Sequence, residues 1–200
     1  MIDEIIGIEW DFFQNVNNIG GRADCQDDFD TFYKQRFAQF KVFYPNVLES
    51  YLNDLKNFCI ENRNPLTEKY AYMMKFTDYS YYLKIKDNLI ELSIEQEELI
   101  DTIVSIEVNM RMEMNEMYPY LSYLSRKTHS SQDNDEDTSF ETYLRGELST
   151  YSFHTLYLYG QMILDMLQKN ENIVINILKE TVKLYGYSSI EEAENFYHND

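Results

Sequence analysis

Proline and glycine are scarce, three and six residues in a chain of 200. That shortage suits a folded helical protein and argues against a disordered one. There are only two cysteines, Cys25 and Cys59, and they make no zinc or redox spacing, so reduced thiols are expected. No uninterrupted apolar stretch approaches the roughly 20 residues that cross a bilayer. Positive charge is short as well: 17 Lys and Arg stand against 35 Asp and Glu, for a formal net charge of -18. Such a field repels phosphate backbones, which excludes nucleic acid and anionic membranes as default partners. Met1 to Trp10 carries Asp3, Glu4 and Glu9 and no basic residue, unlike a secretory signal or transit peptide. A soluble, cytoplasmic protein is the expectation.

What the chain has instead is rings. Eighteen tyrosines and twelve phenylalanines predict an aromatic core, and 200 residues suffice for one domain. Nearly every segment reads at helical period and none alternates as a strand, so the fold class expected is all-α. The architecture is a single-domain bundle of about seven to nine helices, with a long central helix near the C-terminal third. Helix one covers about Ile2 to Asn17, and NNIGGRADCQDD, from Asn17 to Asp28, is a turn-rich connector. Helix two runs to about Phe43, and Pro45 starts a cleanly amphipathic third helix. A Tyr- and Met-rich helix near Thr67 to Phe76 precedes a less regular piece to Leu92. Ser93 and Gln96 form a capping box before a helix over 94–117. SSQDNDEDTS, from Ser130 to Ser139, is the longest polar run and reads as a mobile surface loop. Thr138 and Glu141 make a second box, predicted to open one long helix through to about Lys169. Two shorter helices finish the chain, with Gly186 as a stop and Ser189 with Glu192 as the last box.

Two of these helices carry a charge where their core should be. Wound at about 100° per residue, the first gathers Ile2, Ile5, Ile6, Phe12, Phe13 and Val16 on one face, with Glu9 at its middle. The second gathers Phe29, Phe32, Phe40 and Phe43, with Arg36 at the centre. A lone buried charge is prohibitively costly, whereas a paired and hydrogen-bonded one is tolerable. The economical expectation is that Glu9 meets Arg36, as an internal ion pair or as part of a ligand pocket. Glu107 sits on the apolar side of its helix, with Arg111 one turn on as a local partner. In TSFETYLRGELSTYSFHTLY, Glu147, Tyr151 and His154 follow one side, types that serve as acid, base or metal ligand. Leu158 continues the same line, which favours a polar flank of the core. Glu141 is accounted for by its capping box, and Arg145 by an i, i+4 pair with it.

Several sharper motifs fail. None of the three histidines follows a glutamate at the spacing of a di-metal bundle. DNDED begins like a calcium loop, but Thr138 stands for the required glycine and Leu144 for the final glutamate. IGGRAD is no phosphate cradle, since Asp24, Asp27 and Asp28 occupy the place of the phosphate. Those acids also oppose an activated Cys25 thiolate.

IEWDFFQNVNNIGGRADCQDD and TSFETYLRGELSTYS, with LTEKYAYMM and YGYSSIEEAE, resemble the bacterial family labelled domain of unknown function 4125 over almost the whole chain. The resemblance implies no established activity. It implies recurrent polar positions at Glu9, Trp10, Arg22, Asp27, Asp28, Glu141, Arg145 and Glu147. It also implies an association with a nucleotidyltransferase-like domain, which these 200 residues do not contain. Two readings stay open. One is an accessory or interaction module, serving such a protein partner. The other is an enzyme or binder of a small molecule or divalent metal, using a buried acidic–arginine cluster. The cluster candidates are Glu9, Arg36, Glu107, Arg145, Glu147, Tyr151 and His154. The ligand-binding candidates are Arg22, Asp27 and Asp28, and the candidate metal ligands are Asp27, Asp28 and Glu147. Any site is expected where the N-terminal connector meets the long helix.

Overall fold

The computed structural model describes residues 1–16, 21–134 and 137–199, with Asn199 described for its backbone alone. The Asn17 to Gly20 part of the connector, and Asp135 and Glu136 of the acidic run, lie outside the described residues. Among those described, eleven α-helices and no strand are present, two helices beyond the expected range. They are α1 (Ile2–Gln14), α2 (Phe29–Lys41), α3 (Pro45–Ile60), α4 (Pro65–Thr77), α5 (Tyr79–Ile85) and α6 (Ile94–Met117), followed by α7 (Pro119–Tyr123), α8 (Phe140–Leu148), α9 (Phe153–Gln168), α10 (Ile173–Leu184) and α11 (Ile190–Asn199). The chain forms an all-α single domain.

All three prolines open a helix, in α3, α4 and α7, where the missing N–H costs nothing and the fixed φ suits the first turn. Side-chain caps start most of the helices, proline-opened α4 among them. Asp28 accepts from Thr31 N–H, Asn64 from Leu66 and Thr67, and Ser93 and Gln96 cap each other. The connector around Asp24–Asp27 is a 3₁₀ turn. Gln26 is buried there and donates to the carbonyls of Phe13 and Val16, closing the C-terminal end of α1.

The central helix is α6, 24 residues long, which packs on α8, α9 and α10, while α1 packs on α2, α3 and α4. The continuous helix expected over 138–169 is instead two. Ser149 and Thr150 hydroxyls donate to the carbonyls of Arg145 and Glu147, so side chains compete with the helical ladder. Ser152 then caps α9 through Thr155 N–H, and its own N–H is taken by Asp54 on α3. The first of these helices starts one residue later than expected, capped by Ser139 and not Thr138. Glu141 therefore closes no capping box, and its carboxylate accepts Ser130 N–H. The acidic run is tied down at both sides of the undescribed pair: Asp133 accepts from Ser139 N–H and from the Thr142 hydroxyl, and Asn134 from Asp137 N–H. Among the described residues no helix is long and apolar enough to cross a membrane.

Where α8 crosses α4 a side chain would not fit. A Cβ at Gly146 would lie 2.5 Å from Met73 Cγ and 2.9 Å from the Lys69 carbonyl. Gly7, on the outer face of α1, has nothing within 4 Å. In urea unfolding, Gly146→Ala should therefore lose about 1–3 kcal/mol by overpacking. Gly7→Ala should gain roughly 0.5–1 kcal/mol from the lower entropy of the unfolded chain.

Candidate functional site

Glu9 is 1% exposed, carried inward with Ile5, Ile6 and Phe13 on the buried face of α1. Arg36 comes from α2 and grips it with two parallel bonds, Nη2 to Oε1 at 2.6 Å and Nε to Oε2 at 2.8 Å. That fork is the strong geometry for a guanidinium and a carboxylate. Its third nitrogen, Nη1, turns to Glu147 on α8 at 3.1 and 3.2 Å and to Gln39 at 2.8 Å. Lys69 on α4 donates to Glu147 Oε2 at 2.8 Å, and Gln39 to its Oε1 at 2.9 Å. Tyr51 closes the far side, donating to Glu9 Oε1 at 2.6 Å. Two carboxylates are thus balanced by two cations, joining α1, α2, α4 and α8.

Burial sets the electrostatics. It would raise the Glu147 carboxyl, but Arg36 and Lys69 outweigh it and hold that group well below the usual glutamate range. Burial would lower Arg36, and Glu147 with Glu9 push it well above its ordinary value instead. The neighbouring phenols Tyr51 and Tyr151 are raised well above theirs, first by burial and then by the adjacent carboxylates.

This network floors a cavity of about 230 Å³. Phe13, Phe32, Pro65 and Leu66 give it apolar walls, while Tyr70, Tyr143 and Arg126 line it beside Lys69. Tyr143 is clasped by two cations, Lys69 Nζ at 3.4 Å from the ring centroid and Arg126 Cζ at 4.4 Å. Burial pushes the Tyr70 hydroxyl up to about 12, so it stays a proton donor at neutral pH.

The structure brings together only some of the residues singled out from sequence. Glu9, Arg36, Glu147 and Tyr151 meet, Tyr151 donating to Glu147 at 3.4 Å. His154 does not: the break before α9 resets the helical phase and leaves it exposed. Arg145 lies on another side of α8, bonded to Asp101 and 3.6 Å from Glu141. Glu107 and Arg111 are both buried but do not pair. Tyr159 donates to Glu107 at 2.8 Å, while Arg111 binds the Ser125 hydroxyl and the Arg126 carbonyl. Arg22 holds Asp27 at 2.8 Å and also the Gln14 side chain and Gln26 carbonyl, latching the connector to α1. Asp28 caps α2 and lies at the cavity rim. The three candidate metal ligands are thus separately engaged. Among the described residues no group of three His, Cys, Asp or Glu could hold a metal ion. Sequence reading missed Lys69, although it sits among Pro65, Leu66, Tyr72 and Met73, the same charge-in-a-stripe signal as Glu9. It also missed Gln39, Tyr70 and Tyr143, whose roles carry no local signature.

A family model described as "Protein of unknown function (DUF4125)" matches residues 1–195, and the chain belongs to that family. No curated protein and no solved structure matches the chain.

Arg36→Met should cost about 3–5 kcal/mol in urea unfolding, because among the described residues Glu9 loses its only cation and Glu147 one of two. Glu107 is pushed up to about 8, by burial first, against an ordinary value of 4.5. Between those pH values the native state keeps a proton that the unfolded chain has released, so stability falls as pH rises. Glu107→Gln, which still accepts from Tyr159, should remove that fall. Its advantage over the wild type should grow by roughly 2–4 kcal/mol from pH 5 to pH 8.

Proposed function

We propose that this DUF4125 domain is a binding module for a small molecule, held in the cavity above the Glu9–Arg36–Glu147–Lys69 network. The observation that supports it is the combination of a buried, ion-paired floor with apolar walls and polar groups left free beside Lys69. That is the composition of small-ligand sites: mostly apolar, with a few fixed polar groups that set orientation. Four charges line it, none more than 12% exposed at the side chain and each costly to desolvate.

Size narrows the ligand. At about 230 Å³ the space lies below the range of about 300–1,000 Å³ typical of drug-sized ligands. A single-ring metabolite fits; a dinucleotide does not. The accessory role implied by the family resemblance is compatible with this, with a nucleotidyltransferase-like protein as the partner that would respond to occupancy. The exposed Tyr79, Leu83 and Ile90 around α5 offer such a partner apolar surface away from the cavity.

Ligand-observed NMR on a library of single-ring metabolites, with thermal shift on the hits, tests the reading. Hits should raise the melting temperature saturably, because they bind the native state alone. Leu66→Trp, which fills the cavity from its wall, should abolish both signals while the protein stays folded. A library without hits, or hits indifferent to Leu66→Trp, would remove the cavity as the site.

A further inference from the structure

The polar groups around the cavity are unequal in what they still offer. Every carboxylate oxygen of Glu9 and Glu147 already accepts at least one bond from Arg36, Lys69, Gln39 or Tyr51. The donors are less fully engaged. An ammonium has three N–H groups, and Lys69 gives one to Glu147 and turns another toward the Tyr143 ring, which leaves a third. A guanidinium has five, and Arg126 gives one, to the Thr138 carbonyl at 3.0 Å. Among the described residues the Tyr70 and Tyr143 hydroxyls have no hydrogen-bond acceptor. The part of the lining formed by Lys69, Tyr70, Tyr143 and Arg126 therefore has donors to give and no carboxylate of its own.

Resting on the reading of this cavity as a ligand site, we infer that its ligand is a small ring compound bearing an anionic oxygen group, a carboxylate or a phosphate ester, bound by Lys69, Tyr70, Tyr143 and Arg126. The ring lies against Phe13, Phe32 and Leu66, and the oxygens accept from the ammonium, the phenols and the guanidinium. Such charge-assisted bonds are about twice as strong as neutral ones. The net charge of -18 opposes an anion at a distance, but salt screens exposed charges beyond about 8 Å at physiological ionic strength. The groups that decide are those lining the cavity, and of these only Asp28, exposed at the rim and already capping α2, is an acid outside the balanced network. Arg111 ties down the backbone beside Arg126. Buried one turn beyond Glu107, it bonds the Arg126 carbonyl at 3.1 Å.

Titrating the whole chain with benzoate, phenyl phosphate and neutral benzamide, followed by ligand-observed NMR, tests the inference. The two anions should bind at least about tenfold more tightly than benzamide, the size of one charge-assisted hydrogen bond. Arg126→Gln and Tyr70→Phe, each at a partly open position, should weaken the anions by about five- to tenfold and leave benzamide within about twofold. A higher affinity for benzoate assigns a carboxylate, and a higher affinity for phenyl phosphate a phosphate ester; either supports the inference. Equal affinity for benzamide and the anions would overturn the preference while leaving the cavity as a binding site. So would cationic or neutral hits that are lost in Leu66→Trp. No binding by any compound would overturn both.

Discussion

The Arg36 guanidinium forks Glu9 with two N–H groups and turns its third nitrogen to Glu147 and Gln39, so α1, α2 and α8 meet at one planar cation. Lys69 brings α4 to the same carboxylate. Directional bonds fix distance and orientation together, whereas apolar contacts fix chiefly distance. Four helices that share such a cluster have little freedom to slide or rotate past one another. A slip of one residue on any of them would strand a charge in the core, at a cost of several kcal/mol.

The same constraint accounts for the empty space above it. A core floor made of aliphatic side chains would be filled by whatever large residue packed best. Charges that are already fully paired gain nothing from an apolar cover, and the helices they hold apart cannot collapse inward. Tyr143, clasped between Lys69 and Arg126, and Leu66 on the opposite element shape the remaining volume. A packing requirement and the cavity thus come from the same set of ion pairs.

Two local devices bring the network's members into register. The first is the connector latch, where Gln26 closes the end of α1 and Arg22 bonds Asp27, Gln14 and the Gln26 carbonyl. It sets the start of α2 relative to α1, and so the distance from Glu9 to Arg36. The second is the break between α8 and α9. Hydroxyls at Ser149, Thr150 and Ser152 divert the backbone just past Glu147. That lets α8 serve the network with α4, while α9 packs separately on α3 and α6.

The all-α class, the caps at Ser93 and the amphipathic α3 were legible because each depends on residues within a few positions of one another. Glu9 and Arg36 were legible for a further reason: a charge inside an apolar stripe demands a partner wherever that partner lies. Lys69 carried the same signal and could have been read. Beyond that the sequence is silent, since periodicity runs unbroken through Glu147, Tyr151, His154 and Leu158 although the helix does not. Hydroxyl side chains and Asp54, nearly a hundred residues away, decide that break, and with it the exposure of His154. The separation of Glu107 from Arg111 was likewise settled by Tyr159 and by the turn after α7. Sequence alone determined which helix faces are apolar and that a charge within such a face needs a partner, because both follow local pattern. Only the tertiary structure decided who the partners are and where a cavity remains, because both depend on which helices cross and at what depth.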